Sequence, residues 1–223
     1  MIKDQLEQIT ASLGTNTTLV AVSKTHPIER IKEAYEAGQR DFGENKVQDL
    51  VEKYEALPKD IRWHMIGHLQ SNKVKYIAPF VHLIHGVDSF KLLQEINKQG
   101  QKNGRRISCL LQFHIAQEDT KFGLSLEEAT AFITGPEFSL LDHVRICGVM
   151  GMATFTDNQA QVEAEFKLLK RSFDQLKNTD LIDMEAFNEI SMGMSGDYKL
   201  ALETGITMIR IGSLLFGSRD YPK

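Results

Sequence analysis

The stretch TLVAVSKTHP, residues 18–27, reads as a strand, a turn and the first turn of a helix. Leu19, Val20, Ala21 and Val22 form an unbroken apolar run, the pattern of a parallel strand buried on both faces. Pro27 has its φ already set for a helix start. Ile28, Ile31, Ala34 and Tyr35 carry that helix at 3.6-residue spacing to Gly38, a C-cap residue. An open doubly wound sheet often has a glycine-rich turn after its first strand; SKTHP contains no glycine. The strand ends instead on Ser23 and Lys24. Lysine is among the residues least often buried, so its amine either turns into solvent or stands where an amine is needed.

The same unit recurs outward from this stretch. An opening helix is marked by Ile2, Leu6, Ile9 and Leu13. Further strands are expected at 40–42, 61–67, 82–87, 107–115, 144–152, 185–191 and 207–212. Helical stripes lie between them, the clearest being Val162, Phe166, Leu169, Phe173 and Leu176. About eight strand–helix units in roughly 200 residues fit a compact barrel. The expected fold is therefore α/β: a single (β/α)8 TIM-type barrel with an extra N-terminal helix, one domain over residues 1–223.

The composition narrows the function. The 223 residues carry 26 basic and 30 acidic side chains, a net charge of -4, without the basic excess of a general nucleic-acid binder. No apolar run approaches a membrane span, and the first ten residues carry charges where a signal peptide is apolar. Cys109 and Cys147 sit in apolar runs and read as reduced packing thiols of a cytoplasmic protein. Neither has ligand-spaced partners for a metal.

In such a barrel the chemistry sits at the C-terminal ends of the strands. Ser23, Lys24 and Thr25 follow the first strand, GEN (43–45) the second, GHLQSNK (67–73) the third and EDTKFG (118–123) the fifth. MGMAT (150–154) follows the sixth, SMGMSGD (191–197) the seventh and GSLLFG (212–217) the eighth. The loops after strands seven and eight often bind phosphate in barrels, which singles out Ser195, Gly212 and Ser213. A lysine beside a phosphate site can condense with an aldehyde or ketone. Two readings stay open at this point, a sugar-phosphate aldolase and a pyridoxal phosphate (PLP) protein. Lys73 and Lys121 are further lysines near the expected mouth, read as ion-pair partners, the alternative being that they hold a second PLP or a phosphate.

The motifs AVSKTHP, FGENKVQ, WHMIGHLQSNK, EDTKFG, GVMGMA, SMGMSGDY and RIGSLLFG occur in this order along nearly the whole chain. Together they resemble the pyridoxal phosphate homeostasis protein family, single-domain barrels related to the N-terminal domain of alanine racemase. The resemblance implies PLP held by Lys24 as a Schiff base. It implies a phosphate held by Ser195, Gly212 and Ser213, and Arg210 facing the pyridine nitrogen. Asn45, His64 and the turn ending at Met152 would line the ring pocket. Two places depart from the family pattern: His114, where a small polar residue is expected, and the GSLLFG opening, where Ser213 keeps a hydroxyl.

An arginine is donor-only, so it would leave the ring nitrogen unprotonated and carbanion chemistry weak. Racemisation also needs a second acid/base group opposite Lys24, and the chain after the eighth strand is expected to be too short for another domain. His64 or His68 would have to substitute. The expected function is a PLP carrier or buffer for vitamin B6 homeostasis, a monomer without metal that hands PLP to apo PLP-dependent enzymes. The alternatives are a fold-type III PLP-dependent racemase or other weak PLP enzyme, and a barrel whose site has decayed.

Overall fold

The computed structural model describes residues 1–117, 122–179 and 185–217. Eight strands form a closed barrel: β1 (Thr18–Val22), β2 (Asp41–Glu44), β3 (Arg62–Met65), β4 (Leu83–Val87), β5 (Ile107–Phe113), β6 (Val144–Gly151), β7 (Glu189–Ser191) and β8 (Met208–Ile211). Every pair is parallel, and β8 closes on β1 with Val20 opposite Arg210. The helices outside it are α1 (Ile2–Ala11), α2 (Ile28–Glu36), α3 (Val47–Ala56), α4 (Val74–Ile77), α5 (Phe90–Lys102), α6 (Leu126–Thr134), α7 (Gln159–Lys177), α8 (Tyr198–Leu202) and α9 (Ser213–Phe216). The expected (β/α)8 fold is the one observed, and α1 is the extra helix. It packs its Ile2, Leu6 and Ile9 face against α2 and α9. Among the described residues no helix is long and apolar enough to cross a membrane.

The period of two along each strand divides the core into shells. Leu19, Ala21, Phe42, Trp63, Ile84, Ile209 and Ile211 face the helices. Val20, Leu83, Leu110, Met150 and Met208 form a separate cluster. The alternating positions of β1 and β8 put that cluster inside the barrel. The interior is not all apolar: His64, His85, Gln112, Ser191 and Arg210 are also buried.

Two elements differ from the sequence reading. The apolar stretch 185–191 yields only the three residues of β7, because Phe187 leaves the sheet and stacks on Phe173 of α7, ring centroids 4.8 Å apart. On the other side, β6 carries a bulge. Cys109 pairs with Ile146 but Leu110 pairs with Gly148, so Cys147 is the extra residue. Both cysteines are free thiols. Gly148 sits at φ +153°, and a Cβ there would lie 1.8 Å from the Glu189 carbonyl oxygen. No side chain fits without moving β7. Gly148→Ala should therefore lose about 3 kcal/mol or more of stability, the size of a steric clash added to a strained backbone. Urea unfolding of the variant beside the parent chain measures it.

Candidate active site

The strand ends converge on a cavity of about 470 Å³. Lys24 enters it from the turn after β1, Asn45 from β2, Met152 from β6 and Ser195 from the loop after β7. Arg210 reaches it from β8, with Gly212 and Ser213 just beyond. Seven of the eight residues singled out in the sequence thus line one cavity. The exception is His64, which is fully buried inside the barrel and does not line it. Strand periodicity gives a side chain's face, but its depth depends on how the strands are sheared around the barrel. Gln112, Met194 and Ile66 also line the cavity and were not anticipated. Gln112 had a signal: a lone polar residue in the apolar run of β5, 5% exposed here, its amide donating to the Phe122 carbonyl at 2.9 Å.

Lys24 stands on a clamped turn. The preceding Ser23 is completely buried and its hydroxyl donates to Glu44 Oε1 at 2.6 Å. Lys53 of α3 reaches in to donate to the same oxygen at 2.7 Å and to the Ser23 carbonyl at 2.9 Å. Burial pushes the Glu44 carboxyl up; the Lys53 charge and the two hydrogen bonds oppose that rise. Its second oxygen, Oε2, is buried without a partner. The turn continues through Thr25 at φ +68° and closes with the His26 N–H on the Ser23 carbonyl at 3.1 Å. A non-glycine residue in that region is uncommon, so the clamp imposes the direction in which Lys24 leaves the strand.

Arg210 is 4% exposed. Its Nη1 donates to Ser191 Oγ at 2.6 Å and its Nη2 to the Gly151 carbonyl at 3.0 Å. Both acceptors are neutral; the Asp197 carboxylate, which lines the same cavity, adds a favourable charge. Burial draws the guanidinium down to about 10, which leaves it cationic at neutral pH. Two of its five N–H donors are accounted for by these bonds, and the group borders the cavity. The loops after β7 and β8 meet there, the Leu214 N–H lying 3.5 Å from Ser195 Oγ. A Cβ on Gly196 would touch nothing within 4 Å, so this side of the cavity is open. An amine, a buried cation and two serine hydroxyls form a donor set suited to a carbonyl compound that also carries an anion.

From Arg210 a line of buried polar groups crosses the barrel. Ser191 Oγ lies 3.0 Å from His85 Nδ1, His85 Nε2 lies 2.9 Å from His64 Nδ1, and His64 Nε2 lies 3.0 Å from Asp41 Oδ1. Arg62 donates to both Asp41 oxygens, through Nε at 2.7 Å and through Nη2. Burial alone would raise the Asp41 carboxyl; the hydrogen bonds and charges of His64 and Arg62 outweigh it and hold the group at about 2.

The rim carries His68, whose Nδ1 is 3.1 Å from Asp88 Oδ2 and whose ring stacks on Phe122. Phe155 stands beside it almost fully exposed. Lys73 faces a separate groove with Val51 and Tyr76, and Lys121 lies outside the described residues, as does most of EDTKFG. A cleft of about 530 Å³ lies elsewhere on the surface, and one of about 620 Å³ adjoins the cavity, sharing Ser195, Gly196 and Asp197 with it; neither contains Lys24 or Arg210.

The family described as alanine racemase, N-terminal domain, matches residues 1–220. The pyridoxal phosphate homeostasis protein of Aquifex aeolicus is 40% identical over 214 residues, 95% of this chain and 91% of that one. That of Haemophilus influenzae is 37% identical over 206 residues, 91% and 85% of the two chains. Among solved structures, PipY of Synechococcus elongatus with PLP bound superposes with a TM-score of 0.86 at 35% identity, covering 97% of this chain and all of that one. Alanine racemase of Bartonella henselae, at 15% identity and a TM-score of 0.74, shares the fold over 60% of its length.

Two stability measurements probe the supports of the cavity. Lys53→Ala strands the Glu44 carboxylate in the core and should cost about 3–5 kcal/mol, the usual size when one partner of a buried pair is removed; chemical denaturation reads it directly. Asp41, with its folded pKa below the ordinary 3.8, stabilises the fold fully above that value. The contribution, about 2 kcal/mol, should fade as the pH falls to about 2. Asp41→Asn lacks this titration, so the stability gap between it and the parent should narrow over that range.

Proposed function

We propose that this chain, which belongs to the pyridoxal phosphate homeostasis protein family, binds PLP in the cavity at the strand ends and buffers it for intracellular vitamin B6 homeostasis. The observation that carries this reading is Lys24 and Arg210 in one cavity with the serine loops of β7 and β8. PLP supplies an aldehyde carbon with which an amine condenses, losing water. Lys24 is the amine offered there, giving a Schiff base, and the Ser23–Glu44–Lys53 clamp fixes its approach. Ser195, Gly212 and Ser213 hold the phosphate. Asn45 and Met152 border the ring. The fit extends to electrostatics, because Arg210 has no ion-paired carboxylate among the described residues and the incoming group is an anion.

Arg210 is donor-only and cationic. It therefore holds a ring nitrogen without protonating it, and the electron sink that carbanion chemistry draws on stays weak. A racemase would also need an acid/base group opposite Lys24. His64 is enclosed within the barrel, and His68 at the rim is engaged with Asp88. The reading is thus a carrier that acts as a single cytoplasmic barrel domain, monomeric, releasing PLP to apo PLP-dependent enzymes through the open side of the cavity.

Borohydride reduction of the PLP-loaded protein followed by peptide mapping tests this. A pyridoxyl group on Lys24, absent from Lys24→Arg, is the expected result. Reduction that leaves Lys24 unmodified would overturn the Schiff-base assignment. Appreciable D-alanine from L-alanine would turn the reading toward the racemase.

A further inference from the structure

The polar line under the cavity has a direction. Arg210 at one end can only donate. Asp41 at the other, held low by its partners, is a carboxylate that can only accept. Between these ends the proton positions follow from bookkeeping of donors and acceptors. Ser191 accepts from Arg210 and spends its single hydroxyl proton on His85 Nδ1. His85 is then protonated on Nε2 and donates to His64 Nδ1. His64 is protonated on Nε2 and donates to Asp41. In this order each histidine carries one proton, both in the same tautomer, and every bond points away from the cavity. The opposite order would leave a bare His64 nitrogen against the Asp41 carboxylate, so it requires one extra proton.

We propose that Asp41, His64, His85 and Ser191 are positioning residues for Arg210: the one-way relay holds the guanidinium in the pose in which it faces the ligand's ring nitrogen, and one proton gained at His64 reverses the relay and turns the Ser191 hydroxyl away from His85. The ligand part rests on the PLP reading above. The charged and titratable groups facing the relay are Asp41 from β2, Arg62 from β3, His82 just ahead of β4, His85 from β4 and Arg210 from β8. Of these only Asp41 favours the extra proton. Burial and the neighbouring His64, Arg210 and His82 hold His85 well below its usual range. His82, exposed beside His64 with ring centroids 5.3 Å apart, marks the end open to solvent. Arg62 already occupies Asp41 there, so the trio of Asp41, His64 and His82 serves as the relay's terminus rather than as a cation site.

Two readouts test the proposal. The first needs no PLP: nitrogen NMR of the unloaded protein with 15N-labelled histidine. At neutral pH His64 and His85 should both carry the proton on Nε2, and on acidification His85 should move its proton to Nδ1 together with the charging of His64. A protonated Nδ1 on either ring at neutral pH, or acid charging of His64 that leaves His85 in its original tautomer, would overturn the relay. The second is the rate of PLP release and the absorbance maximum of the loaded protein. His64→Leu should speed release about tenfold, the worth of one charge-assisted hydrogen bond, and shift the maximum. His64→Gln can accept from His85 and donate to Asp41, and should restore both. A folded His64→Leu with parental release and spectrum would refute the positioning role. Should His64→Leu not fold, Ser191→Ala against Ser191→Thr poses the same question with the same two answers. If the parent chain forms no Lys24 adduct, the PLP reading has failed, and the tautomer measurement still decides the relay.

Discussion

Removing a guanidinium from water costs several kcal/mol unless fixed dipoles replace its hydration. Arg210 meets that demand with two neutral oxygens and, among the described residues, no ion-paired carboxylate. Much of the barrel interior follows from this. Ser191 must accept, so it needs an acceptor for its own proton, and the need is passed through two histidines to Asp41, where Arg62 at last supplies a partner of opposite charge. The negative charge that would neutralise Arg210 locally has been moved across the barrel. What remains next to the cavity is a cation whose counter-charge can be brought by a ligand.

The second buried charge system works the other way. Glu44 and Lys53 neutralise each other at 2.7 Å, and the pair is spent on holding backbone, the Ser23 carbonyl, rather than on any ligand. Such a pair is weak evidence for net stability; its effect is geometric. It ties α3 to the end of β1 and fixes the turn from which Lys24 departs. One buried charge is hydrogen-bonded only to neutral oxygens among the described residues and the other is closed on itself, which divides binding from scaffolding.

The fold was legible because parallel strands covered on both faces leave unbroken apolar runs, and eight of them with helices between admit few closures. The mouth residues were legible for the same reason: a polar residue that ends an apolar run, such as Lys24, or interrupts one, such as Arg210, must face either solvent or a site. Three things were not. His64 and His85 look alike in the strands that carry them, and their joining into one line depends on barrel shear, which no local pattern encodes. Lys53 is a charged residue on α3 among the apolar Leu50, Val51 and Tyr54, and its burial shows only once Glu44 is seen behind it. The bulge at Cys147 is an extra residue in β6, and Gly148 in the run RICGVMG announces it only after the clash with Glu189 is known.

Closure of the barrel has a consequence for how such a protein meets others. Every strand of the barrel is hydrogen-bonded on both sides, so among the described residues the barrel presents no sheet edge to which an extended segment of another chain could add. Recognition by strand addition is closed to the barrel. Whatever docks at the mouth must do so through side chains and loops, where the exposed Phe122 and Phe155 stand.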